Sequence, residues 1–244
     1  MPIIPSHIVG IITLKAAIFM ITLVIIVSSL PHTLHAQSPQ WRGFFISPKL
    51  TTSLRYTDNL FSDATDQESE LIYTLKPSLA VNKSYRSHNF SLTLNSNIKR
   101  HRDRPSQNTE NIEINSENNI QVTRSMSIPL NLGFERQELR RSSPGNPRFT
   151  RKPLIETQYS FQSGLKYNFN RLNLDMLGRY SKTSFDDGVS RLTGDTINFS
   201  RNNRENFGVS ASASYDIRPN HSLFTRLNFS RSSFEERENR DSKS

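Results

Sequence analysis

The residue types that most often do chemistry are sparse and scattered in this 244-residue chain. There is no cysteine, which removes disulfides, thiolate metal ligands and cysteine nucleophiles. Of the six histidines, His7, His32 and His35 fall in an apolar N-terminal segment, and His88, His101 and His221 share no ligand spacing. Asp186-Asp187-Gly188 resembles a calcium loop only superficially, since no bidentate glutamate follows at the required offset; it reads as a turn. No glycine-rich phosphate loop, no G-x-S-x-G elbow and no identifiable Ser/His pair occurs. Asn82, Asn89, Asn198, Asn220 and Asn228 begin N-x-S sequons, which a chain rich in Asn and Ser produces by coincidence. The sequence therefore predicts no catalytic residue, no metal and no cofactor. What remains is hydrogen bonding and charge, and both depend on which face of which element carries each side chain.

The elements that position those groups are strands. Apolar and polar residues alternate with period two in nine successive runs. The first places Ile46, Leu50, Leu54 and Tyr56 on one face. The second places Leu71, Tyr73, Leu75, Leu79 and Val81 there, and the third Phe90, Leu92, Leu94 and Ile98. Ile112, Ile114, Ile120 and Val122 mark the fourth run; Ile128, Leu130, Leu132 and Phe134 mark the fifth. The sixth runs from Ile155 to Phe169, the seventh carries Leu172, Leu174, Met176 and Tyr180, the eighth Phe207 to Ile217, and the ninth Leu223, Leu227 and Phe229. Each run is longer than the ~5–6 residues of an ordinary strand and long enough for a tilted membrane-crossing one. Several aromatic residues on the apolar face lie near strand ends, where rings suit a membrane interface.

The links alternate strictly. Short ones fall at Lys83–His88, Arg124–Ser127, Asn170-Arg171 and Arg218–His221. Long polar ones fall at Thr57–Glu70, His101–Glu110, Glu138–Pro153 and Ser184–Arg204. A soluble sandwich gives no reason for this alternation, whereas an outer-membrane barrel has short periplasmic turns and long external loops. Only 34% of residues are hydrophobic, against the usual ~45–50%. A barrel whose apolar face meets lipid needs little internal core. The expected fold is all-β: an antiparallel up-and-down transmembrane β-barrel over residues 37–244, incomplete at about nine strands, after an N-terminal signal peptide at 1–36. That leader is read from the apolar run Ala16–Leu30 after Lys15, with Ala36 as the small residue before the cut. An uncleaved anchor over Ile8–Leu30 is the alternative. Either way the mature chain crosses the inner membrane, so no nucleic acid partner is expected. An open ninth strand would leave unpaired edges in lipid, and a C-terminally truncated chain is the inference drawn from it.

The alternation also sorts the polar residues. Lys49, Arg55, Lys76, Lys99, Lys166, Arg179 and Arg226 face away from the apolar side, as do Glu113, Glu117, Glu135, Glu156, Asp175 and Asp216. The near balance predicts no strong ion selectivity. Asn95, Asn97, Asn115, Gln158, Gln162 and Asn228 add amide groups able to hydrogen-bond a hydrated sugar chain. The candidate lumen-lining set is Lys49, Arg55, Lys76, Asn95, Asn97, Glu113, Glu117, Gln158, Arg179 and Arg226. With a net charge of +9, the excess positive charge is then placed in the loops. Arg140, Arg141, Arg148, Arg151 and Lys152 form the candidate basic surface loop, and His101-Arg102-Asp103-Arg104 forms another cluster. Such loops suit lipopolysaccharide phosphate or acidic polysaccharide.

Tyr56-Thr57-Asp58-Asn59-Leu60-Phe61, followed by an acidic loop and Leu75-Lys76-Pro77-Ser78-Leu79, resembles the opening of the β-barrel porin type 2 outer-membrane proteins. Arg240-Asp241-Ser242 is similar to a loop entry in the same group. The likeness covers most of residues 44–244. It implies a porin-like role, in export of or association with exopolysaccharide, in a Gram-negative outer membrane, and it brings no catalytic residues. The expected partners are outer-membrane lipid and lipopolysaccharide, polysaccharide or an export complex, and the barrel-assembly machinery. The rival expectation is a non-conducting structural barrel whose basic external loops bind lipopolysaccharide or acidic polysaccharide.

Overall fold

A computed structural model describes residues 40–61, 67–139, 150–191, 193–235 and 242–243. The leader expected at 1–36 lies outside them. Nine long strands carry the chain: β1 (Phe44–Thr57), β2 (Glu70–Tyr85), β3 (His88–His101), β4 (Thr109–Gln121), β5 (Met126–Glu138), β6 (Ile155–Phe169), β7 (Leu172–Phe185), β8 (Arg204–Arg218) and β9 (His221–Phe234). They pair in chain order, each antiparallel to the next, in one meander. Two-residue strands, Gln40–Trp41 and Ser242–Lys243, edge the sheet beside β1 and β9. Among the described residues β1 and β9 do not pair with each other, so the sheet is open. Among the described residues helix is confined to two single 3₁₀ turns, Pro105–Gln107 and Ser200–Asn202.

The register explains why these runs pair as they do. Apolar residues meet apolar residues across neighbouring strands: Leu79 with Leu94, Leu94 with Ile114, Ile114 with Phe134, and Phe134 with Tyr159. Further along, Leu165 meets Met176, Met176 meets Ala211, and Ala211 meets Leu227. A slip of one residue in any pair would turn a whole strand's apolar set to the other face. The tight links set this register. Arg86-Ser87, Asn170-Arg171 and Pro219-Asn220 each join two strands with two residues. Asn170 (φ 52°) and Asn220 (φ 63°) adopt the left-handed conformation such turns need, which asparagine tolerates well. The links at the opposite end are long, spanning 58–69, 102–108, 139–154 and 186–203. The alternation of short and long links is therefore a property of the fold.

Burial is inverted relative to a soluble domain. Among the described residues, seven hydrophobic side chains are buried and 27 large ones are exposed. Most of the exposed ones lie on the apolar face of the sheet, including Leu54, Tyr159, Met176, Phe207 and Leu227. The buried apolar side chains Phe61, Leu154 and Phe199 belong instead to the long loops.

Those loops are tied to one another. Arg104 pairs with Glu68 and Glu70. Gln107 Nε2 donates to the Arg151 carbonyl at 2.7 Å. The Arg151 amide donates to Val189 O, also at 2.7 Å. Arg191 closes the circuit, with its guanidinium 4.5 Å from the Phe61 ring centroid. The loop between β7 and β8 thus reaches the loop between β1 and β2, which requires the sheet to be strongly curled.

Candidate functional site

Two faces of one curled sheet carry different chemistry. On the polar face, residues of the five adjacent strands β1 to β5 line a single cleft of about 370 Å³. Its walls include Lys49, Lys76, Asn95, Asn97, Glu113, Glu135 and Gln137. Pro77 helps to open it. A proline has no N–H to give to the ladder, and the β2–β3 pairing is interrupted where Lys76-Pro77 passes Ser96-Asn97. The Asn97 Oδ1 atom is left buried there with no hydrogen-bond partner.

Hydrogen bonds hold the acidic side of the cleft. Glu113 accepts from Asn95 Nδ2 at 3.1 Å and from Asn115 Nδ2 at 2.7 Å. Glu113 and Glu135 sit directly opposite one another on β4 and β5. Like charges in that position repel, and neither carboxylate forms an ion pair among the described residues. The cations Lys49, Arg55, Lys76 and Lys99 all stand on β1 to β3, and Glu113, Glu117, Glu135 and Glu156 stand on β4 to β6, where among the described residues Lys166, near the short-link end, is the one cation of this face. The face is close to neutral in sum but divided strand by strand, which the residue balance alone does not reveal.

The structure brings Lys49, Lys76, Asn95, Asn97 and Glu113 together in the cleft and leaves the other five lining candidates outside it. Gln158 follows Glu135 in register on β6, Glu117 faces Asn131, and Arg179 faces Gln162. Arg226 lines a second recess of about 310 Å³ with Lys166 and Asp175, near the short-link ends of β6 to β9. Arg55 stands one residue from the loop end of β1's tyrosine, opposite Ile72. Gln137, which also lines the cleft, was not singled out by sequence although its parity marks it.

The candidate basic loop divides differently. Arg140, Arg141 and Arg148 lie outside the described residues. Arg151 and Lys152 are exposed, and Arg151 contributes its main chain to the loop contacts described above. Arg104, read from sequence as part of a basic cluster, is paired with two carboxylates. Positive charge gathers where the sequence reading did not look, in the short links, which hold Arg42, Arg86, Arg124 and Arg171, with Arg218 beside the last.

The outward face also changes character along the strands. At the loop end its apolar residues give way to ion pairs: Arg100 with Glu110, Arg136 Nη2 with Asp186 Oδ2 at 2.9 Å, and Lys182 Nζ with Glu205 Oε1 at 2.8 Å. Tyr159 lies beside Lys182 in register, just below this belt. The chain matches the family model described as "Putative beta-barrel porin 2" over residues 41–244. No curated protein and no solved structure matches the chain.

Proposed function

The chain belongs to this β-barrel porin family, and from that premise we propose that its nine long strands form barrel wall in a Gram-negative outer membrane, with a porin-like, non-enzymatic role. The observation that carries the proposal is the inverted burial. A fold whose described residues expose 27 large apolar side chains and bury seven hydrophobic ones is unfavourable in water, and each exposed one gains roughly 1.5–3 kcal/mol when moved out of water. Lipid is the solvent that reconciles these numbers. The height of the apolar band supports this. Tyr159 to Phe169 on β6 spans roughly 33 Å at about 3.3 Å per residue, and a strand tilt of about 40° reduces that to ~25 Å, the height of an outer-membrane apolar band. The ion-pair belt above it and the short links below it then mark the two interfaces.

The polar face becomes the wall of an aqueous path. Its Asn, Ser, Thr and Gln side chains can exchange hydrogen bonds with water and with the hydroxyls of a saccharide. On that ground we assign polar solutes as the class in transit, and exopolysaccharide, in export or in association, as the finer reading. The test is planar-bilayer recording on the chain refolded with its heat-modifiable mobility demonstrated. Discrete conductance steps that neutral oligosaccharides block are the expected result. Silence from correctly folded protein would remove the conducting role and leave a structural wall.

A further inference from the structure

Every short link at one end of the sheet contains or adjoins an arginine. Arg42 lies in the turn before β1, Arg86 between β2 and β3, Arg124 between β4 and β5, Arg171 between β6 and β7, and Arg218 at the turn between β8 and β9. All five are exposed. No aspartate or glutamate occurs in these links. Among the described residues none of the five lies within ion-pair distance of a carboxylate. The nearest acid in register, Asp216, shares a recess with Arg171 and Arg218 but pairs with neither. At the other end Arg100, Arg104, Arg136 and Lys182 are each paired with a carboxylate, whereas Arg151, Lys152, Arg201 and Arg204 form no ion pair among the described residues. The short links thus carry cations without carboxylates, whereas the long links carry both.

Two of the arginines also stand against exposed rings. The Arg42 guanidinium is 5.2 Å from the Trp41 ring centroid, and that of Arg86 is 5.3 Å from the Tyr85 ring. Trp41 and Tyr85 are 61% and 56% exposed. Arg42 (φ 49°) and Arg86 (φ 53°) occupy the left-handed conformation that asparagine takes at Asn170 and Asn220, so arginine stands where a less strained residue would serve the turn. A partner for this rim must offer negative charge at the turns and hydrocarbon one residue away. A free polyanion supplies only the first.

We propose that the five arginines form a rim that binds the anionic phospholipid headgroups of the leaflet at the short-link end. The inference rests on the membrane-embedded reading above. Guanidinium groups bind phosphate in bidentate fashion, and aromatic rings at the same level anchor in the headgroup region.

Trp41 is the sole tryptophan of the chain and sits in the rim, so it reports directly. The full chain is refolded into phosphatidylcholine vesicles that contain an equal mole fraction of either phosphatidylglycerol or phosphatidylcholine brominated near the glycerol end of the acyl chains. Brominated phosphatidylglycerol should quench Trp41 about twofold more strongly, with the preference falling as salt rises. The variant R42Q/R86Q/R124Q/R171Q/R218Q should quench equally with both lipids. If that variant does not fold, the salt series on the unaltered chain decides alone. Equal quenching, or a preference that salt does not weaken, overturns the rim while leaving the barrel wall intact. A preference abolished by soluble polygalacturonate at matched ionic strength assigns the rim to a free polyanion and also overturns it. Absence of quenching by either lipid defeats the membrane reading itself.

Discussion

Glu113 and Glu135 show what one residue pair can decide. They face each other across β4 and β5 without a cation between them, while Lys49 and Lys76 stand on the neighbouring strands of the same cleft. If ions pass along this wall, the acidic pair draws cations and the lysines draw anions. Replacing both glutamates by glutamine leaves the lysines dominant, and reversal potentials in a salt gradient should shift toward anions, with the cation-to-anion permeability ratio falling about twofold or more. An unchanged ratio would show that this cleft lies off the conduction path. Gly164 decides a backbone contact. A Cβ there would overlap the Met176 carbonyl oxygen, whereas one at Gly208 meets its nearest atom, Phe229 O, at an ordinary 3.6 Å. Gly164→Val should destabilise the refolded protein by ~2–3 kcal/mol and Gly208→Val by far less, as read by urea unfolding in lipid vesicles.

At the scale of elements, the strands were legible and the loops were not. Alternation exposed all nine strands because burial on one face imposes period two, and the structure agrees in number and order. Phe224 is one exception. It lies on the polar face of β9 and is 74% exposed, and the periodic reading of Leu223, Leu227 and Phe229 passes over it. The loop circuit could not be read, because its partners are far apart in the chain and obey no period: Arg104 finds Glu68, and Arg191 finds Phe61. Charge counting therefore treated Arg104 as free when it is paired. The Arg104→Ala variant should leave the buried Glu70 carboxylate without its cation, a loss of about 3–5 kcal/mol for a fully buried pair and less here because Arg104 is partly exposed. Trypsin should then cut at Arg191 faster while the circular dichroism of the sheet is retained. Equal proteolysis rates would show that the loops hold together without this pair.

For the molecule as a whole, the long-stranded sheet carries one apolar and one polar face, and what was readable follows from that. Which residues share a face could be read from parity. How the charges divide around the curve, and which cations meet a carboxylate, required the register and the loop contacts. The central claim is that the face carrying Tyr159, Phe161 and Leu165 meets lipid while the face carrying Gln158, Ser160 and Gln162 meets water. The chain has no cysteine, so single cysteines can be placed at each position of β6 from Thr157 to Phe169, spin-labelled, and read by electron paramagnetic resonance in vesicles for collision with oxygen and with a water-soluble nickel chelate. The account predicts oxygen accessibility at the odd positions and chelate accessibility at the even ones, alternating along the strand. Chelate access at both faces would place β6 in water and contradict the barrel wall.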